Sequence, residues 1–228
     1  MTNLLSSKSE LRKVLLPLPE EQILGVQGKL AENLRRSEIY RQCKQVFIDP
    51  SFLLRQARVN ALLDGKELVM PAAGLKEGFY LLKPFTIPFK NLVMGVTYTG
   101  LERYGHRLDF EEISSLNVSL LIGETYGVDR LGNSLGDGLG FFDLAVALIG
   151  EMGGLVENCQ VIAAVDDLTK VVDDIPSELW DNKCSGILSS DGIELLTDSS
   201  PVPGIYWDNI PMERIKRMTP LWYLFNRR

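Results

Sequence analysis

The chain has 228 residues, 45% of them hydrophobic, which gives one domain of above-average size a full core and excludes a disordered chain. Its net charge of −6 excludes the cationic surface that non-specific nucleic-acid binding needs, so no nucleic-acid partner is expected. There is no charged-then-apolar leader and no apolar run long enough for a bilayer, so no membrane partner and a cytoplasmic location are expected.

In chain order, residues 7–16 read as a short helix capped by Ser7 and interrupted by Pro17 and Pro19. Pro19-Glu20-Glu21 opens a second helix, since proline fits the first turn and acids there suit the helix dipole. Leu24, Val26, Leu30, Leu34 and Ile39 mark its apolar positions. Gln45 to Ile48 is a short apolar strand broken by Asp49-Pro50-Ser51, and 53–63 is a helix stopped at Asp64-Gly65-Lys66. Strands follow at 67–71 and 78–83. Residues 83–107 mix aromatics, prolines and glycines and predict an irregular excursion or short strands. Then come a strand at 118–122, a glycine-rich stretch at 123–140, a helix at 141–152 and a strand at 161–165. Short strands are expected at Ile187-Leu188 and 193–196, and a proline- and aromatic-rich tail at 201–228 packs across the domain. This alternation predicts an α/β fold of three layers, α/β/α, with a mostly parallel central sheet, in a single domain over 1–228.

Cys43, Cys159 and Cys184 lie far apart without metal-type spacing, and His106 is the only histidine, so neither a zinc site nor a Ser-His-Asp triad is supported. Arg35-Arg36 and Arg227-Arg228 read as a solvated helix face and a terminus. The stretch that carries chemistry is Gly132-Asn133-Ser134-Leu135-Gly136-Asp137-Gly138-Leu139-Gly140-Phe141-Phe142-Asp143. Glycines at alternate positions free the backbone to turn its N–H groups toward an anion, and the helix that follows adds its positive end. No Gly-Lys-Ser/Thr follows, so this is not a Walker loop, and the spacing is not that of a dinucleotide fingerprint. A structural turn and a phosphate cradle both fit these residues.

The loop resembles the G-x-R-x-G-x-G-x-G-Y-x-D motif of the 5-formyltetrahydrofolate cyclo-ligase (methenyltetrahydrofolate synthetase) family at Gly132, Gly136, Gly138, Gly140 and Asp143, with Phe141 for Tyr. Further similarities lie in order along the chain. They are Lys8 to Arg12, Arg58 to Lys66, Asp143 to Gly153, Val171 to Pro176, Trp180-Asp181 where the family has His-Asp, and Gly204 to Trp207. They are similar to the branch with archaeal members and the synthetase-domain-containing proteins. The resemblance implies Mg-ATP-dependent conversion of 5-formyltetrahydrofolate to 5,10-methenyltetrahydrofolate. The formyl oxygen attacks the γ-phosphate, the second folate nitrogen closes on the activated carbon, and phosphate leaves. It implies ATP at Lys8, Arg12, Gly136, Gly138 and Gly140, the folate at Arg58, Phe141 and Trp180, and Mg²⁺ at Asp143 and Asp181, a hard cation on carboxylate oxygen.

Departures cluster at the chemistry. Ser134 replaces the motif's arginine, and Asp137 and Leu139 stand where cations or Glu are usual. Ala73-Gly74 replaces a proline-arginine element, and Val165-Asp166-Asp167 a Val-His-Asp element. A carboxylate about 4 Å from a phosphate oxygen costs about 4 kcal/mol per charge pair at an effective dielectric near 20. The sequence therefore fits two classes: a cyclo-ligase with weak or altered activity, and a homologue that keeps the fold and binds a ligand or partner without turnover. A nucleotide-sugar or CoA-type binder on a similar scaffold is a third. If ATP is bound tightly, Arg58 or Arg130 are the cations expected to have taken over the phosphates.

Overall fold

The computed structural model describes residues 7–196 and 202–228. Pro201, where the expected tail begins, lies outside the described residues, as do the first six positions of the expected domain. The strands are β1 Gln45–Ile48, β2 Glu67–Pro71, β3 Phe79–Leu82, β4 His106–Arg107, β5 Val118–Glu124, β6 Gly127–Asp129, β7 Ser134–Leu135, β8 Leu155–Ala164, β9 Val171–Val172, β10 Gly186–Ser189 and β11 Gly192–Leu195. The helices are α1 Lys8–Val14, α2 Glu20–Arg36, α3 Glu38–Gln42, α4 Arg55–Leu63, α5 Leu92–Gly95, α6 Tyr98–Tyr104, α7 Phe110–Ser114, α8 Phe141–Glu151, α9 Met212–Arg217 and α10 Thr219–Phe225.

The main sheet runs β11-β10-β8-β5-β1-β2-β3-β4. Its centre is parallel, from β10 through β8, β5 and β1 to β2, and its edges are antiparallel. Period-two alternation sends successive side chains to opposite faces. Val46, Ile48, Leu120 and Ile122 pack with Leu30, Leu34 and Leu62 of α2 and α4. Phe47, Leu121 and Val161 face Val146, Leu148 and Ile149 of α8 together with Ile215 and Leu221 of the C-terminal helices. Val118 lies on the α8 side although Leu120 does not, because the register shifts between these two residues. The fold is therefore the expected three-layer α/β type with a mostly parallel sheet.

Several elements differ from the sequence reading. Ser37 ends α2 and caps α3 by accepting from the Tyr40 N–H, so Ile39 belongs to a separate helix. Leu24 is exposed, and Ile23 carries that turn's contact with the core. The excursion at 83–107 contains α5 and α6, with Thr97 accepting from the Gly100 N–H as the cap of α6. Inside the glycine-rich stretch, β6 and β7 form an antiparallel pair, and with β9 they make a small second sheet. The Gly136–Gly140 segment follows that hairpin and leads into α8, so it does not leave a central strand directly.

Candidate functional site

Strand order reverses at β1: β2 lies on one side of it and β5 on the other. In open α/β sheets, ligands bind at the carboxyl ends of the strands beside such a switch. A cleft of about 820 Å³ opens there, lined by residues that follow β1, the end of β5, the glycine loop, α1 and the C-terminal segment. Asp49 and Glu124 close off β1 and β5 and form its floor. Burial pushes the Asp49 carboxyl above its ordinary range, and its Oδ1 accepts from the Ser51 N–H at 2.6 Å. Burial, reinforced by the neighbouring Asp49, pushes Glu124 up to about 7.

The glycine loop forms one wall. Gly138 has φ +90° and Gly140, the residue before α8, has φ +64°, backbone conformations that favour glycine. Arg12 of α1 donates from Nε to the Gly136 carbonyl at 2.8 Å, and a Cβ on Gly138 would meet its guanidinium at 3.2 Å. Asp137 turns back on the loop, its Oδ1 accepting from the Leu139 N–H at 2.8 Å. One backbone donor of the loop is thus already taken by a carboxylate of the chain.

Lys8 forms an ion pair with Asp181, whose Oδ2 also accepts from the Glu178 N–H at 2.7 Å. The next residue, Asn182, donates to Asp143 Oδ1 from its backbone at 3.0 Å and from its side chain at 2.9 Å. Burial raises the Asp143 carboxyl, and Asp181 and Lys8 act on it with opposite signs. The structure therefore brings Lys8, Arg12, the loop glycines, Phe141, Asp143, Trp180 and Asp181 to one cleft. Trp180 meets Tyr206 edge to face, with ring centroids 6.2 Å apart, on the rim.

Arg58 is not brought there. Its guanidinium is buried and donates to the carbonyls of Asp49 (2.5 Å), Ser51 (2.9 Å) and Val96 (3.1 Å). This anchors the segment after β1 from behind the cleft. Arg130 is also remote from the lining, paired with Glu194 at 2.9 Å on the surface.

The donor set bears on metal binding. Asp143 Oδ2 and Asp181 Oδ1 accept no hydrogen bond from a described residue. No group of three carboxylate, thiol or imidazole side chains that could hold a metal by itself occurs among the described residues. Two carboxylates fit Mg²⁺, which usually takes one or two from the protein and the rest of its oxygens from water and phosphate. The lining carries three cations, Lys8, Arg12 and Arg214, against six acids, Asp49, Glu124, Asp137, Asp143, Glu178 and Asp181. A polyphosphate entering this cleft needs a divalent cation to offset that excess.

Asp49, Glu124, Tyr206 and Arg214 were not found from sequence. An acid within two residues of the end of each apolar strand run, Asp49 after Ile48 and Glu124 after Ile122, is a usable signal for the first two, because strand ends at a switch point face the ligand. Tyr206 lies in the Gly204 to Trp207 stretch that resembles the family, and Arg214 is brought in by the returning C-terminal segment with no local pattern of its own.

Fold and site together define an α/β protein whose glycine loop lines a cleft at the switch point of its sheet. The model of the 5-formyltetrahydrofolate cyclo-ligase family matches residues 5–190, and the chain belongs to this family. It is 26% identical over 187 residues to a methenyltetrahydrofolate synthase domain-containing protein of Danio rerio, covering 79% of this chain and 48% of that protein. The similarly named protein of Homo sapiens is 26% identical over 193 residues, covering 82% and 49%. The chain thus spans about half the length of these curated relatives. Among solved structures, the 5,10-methenyltetrahydrofolate synthetase of Aquifex aeolicus aligns with a TM-score of 0.56 at 19% identity, covering 87% of this chain and 97% of that one. The enzyme from Mycoplasma pneumoniae aligns at 0.51 and 12% identity, covering 80% and 98%. At these identities the structural likeness concerns the fold.

Proposed function

We propose that the cleft binds Mg-ATP and 5-formyltetrahydrofolate and catalyses slow closure to 5,10-methenyltetrahydrofolate. The observation that carries this reading is the convergence of the glycine loop, Lys8, Arg12, Asp143 and Asp181 on one cleft at the switch point of a cyclo-ligase-family fold. ATP would supply the phosphoryl group that activates the formyl oxygen, with Mg²⁺ offsetting the charge of its phosphates. The N–H groups of Gly136, Gly138 and Gly140 and the start of α8 would face the phosphates, with Lys8 and Arg12 supplying charge. Asp143 and Asp181 would hold the metal. Phe141, Trp180 and Tyr206 offer flat apolar surfaces to the pterin. Arg58 acts indirectly, by fixing the chain after β1. The same reading treats residues 1–228 as one cyclo-ligase-like domain. Three free thiols, Cys43, Cys159 and Cys184, suit the reducing cytoplasm.

Slow turnover follows from the charges. Asp137 and the acid excess oppose a triphosphate, and Lys8 must exchange Asp181 for a phosphate before it contributes. These same two observations favour a second reading, a ligand-binding homologue without turnover. Methenyl product formed from 5-formyltetrahydrofolate only when Mg-ATP is present supports the first reading. Binding of either ligand with no product over many hours at high enzyme concentration supports the second.

A further inference from the structure

The glycine loop is gripped by arginines from two directions, and one of them comes from outside the segment that the family model matches. That match ends at residue 190, whereas Arg214 lies in α9. Its Nη2 donates to the Leu139 carbonyl at 2.7 Å, and its guanidinium carbon sits 5.0 Å from the centroid of the Phe141 ring. Arg12 holds the Gly136 carbonyl from the α1 side. Both arginines line the cleft, and Asp137 acts electrostatically on Arg214.

A guanidinium has five N–H donors in a planar fork. Arg214 forms one hydrogen bond to a described residue, so the remaining donors are open to a ligand. The Phe141 ring and the Leu139 carbonyl hold the fork in place before a ligand arrives, which reduces the ordering cost of binding. Arg58 and Arg130 are committed elsewhere, Arg58 to three backbone carbonyls and Arg130 to Glu194. Ser134 and Asp137 leave the loop itself without a cation.

We propose that Arg214 is a phosphate-binding residue of this cleft, supplied by the C-terminal segment in place of the cations missing at Ser134 and Asp137, and that it grips the polyphosphate of the ligand. This rests on the nucleotide part of the proposed function and adds a residue to it. It also assigns the C-terminal segment a role in ligand choice, since Ile205, Tyr206 and Ile210 form the same wall.

The test is calorimetric titration of the full chain with Mg-ATP and, separately, with inorganic triphosphate plus Mg²⁺, at two salt concentrations. Arg214→Gln keeps an amide donor for the Leu139 carbonyl and removes the charge. Arg214→Lys keeps the charge and loses the fork. We expect R214Q to weaken both ligands by about tenfold or more, to reduce the salt dependence, and R214K to recover part of the loss. Binding of 5-formyltetrahydrofolate alone is expected to change less than binding of triphosphate, because Arg214 meets the proposed pterin surface only through the Phe141 ring. Equal triphosphate affinity in wild type and R214Q overturns the proposal. So does an equal loss in R214Q and R214K accompanied by a lower melting temperature in both, which means that Arg214 only positions the loop. Triphosphate binding that depends on Arg214, in a protein that never forms methenyltetrahydrofolate, supports this proposal and ends the cyclo-ligase reading. Wild type that binds neither Mg-ATP nor triphosphate overturns the proposal outright.

Discussion

Replacing Glu124 by glutamine should stabilise the protein at pH 8 and leave its stability unchanged near pH 4. Glu124 ends β5 in the cleft floor, and burial together with Asp49 raises its carboxyl from 4.5 to about 7. A raised carboxyl binds its proton more tightly in the folded state than in the unfolded one. Stability is therefore full below about 4.5, falls as pH rises toward 7, and is flat beyond it. At about 1.4 kcal/mol per pH unit, the ionised side chain costs the folded state up to about 3 kcal/mol at pH 8. Glutamine has the same shape and no charge, so it removes that cost. It also relieves Asp49, and it leaves the Asp166–Lys170 pair, whose members act on Glu124 with opposite signs. In urea, with a slope of about 1–3 kcal/mol/M, the midpoint should move up by about 1 M or more at pH 8. An equal shift at both pH values refutes this, as does a destabilised variant at pH 8, which would mean that Ser51, acting on Glu124 in the opposite sense, outweighs desolvation.

Arg58→Ala should destabilise by about 3 kcal/mol or more, read from the urea midpoint, because three carbonyls lose a charged donor in a buried place. Unchanged stability with lost folate binding would instead return Arg58 to the ligand. Asp143→Asn and Asp181→Asn should each raise the Mg²⁺ concentration needed for half-maximal ATP binding by about tenfold, measured by titrating the metal at fixed ATP. The double change S134R/D137K should tighten Mg-ATP binding by about tenfold or more, most strongly at low salt. Equal affinity in the variant means that the excess acid elsewhere in the cleft dominates.

The central strands were readable because each is a short apolar run bounded by breakers, as at Gln45 to Ile48 before Asp49-Pro50-Ser51. The loop before α8 was readable because Gly138 and Gly140 adopt conformations that favour glycine. Short elements held by tertiary contact were not. Strand β4 is two residues long, and α5 is a single turn packed beside α6. Helix α7 carries a local signal, the Asp109–Glu112 capping box, but too few apolar positions to mark a helix by periodicity. At the site, Lys8, Arg12, Asp143 and Asp181 were placed by motif. Arg58, named by the same resemblance, donates to backbone carbonyls and is not among the residues lining the cleft. Arg214 depends on how the tail returns over the sheet, which is a property of the whole fold.

The Mg-ATP-dependent closure proposed for this cleft is tested most directly by a single titration of the wild-type chain with Mg-ATP in the presence of 5-formyltetrahydrofolate, followed by assay for the methenyl product. Measurable binding that requires Mg²⁺, together with slow product formation that requires both ligands, is the expected result. A chain that binds neither ligand, with or without Mg²⁺, contradicts it.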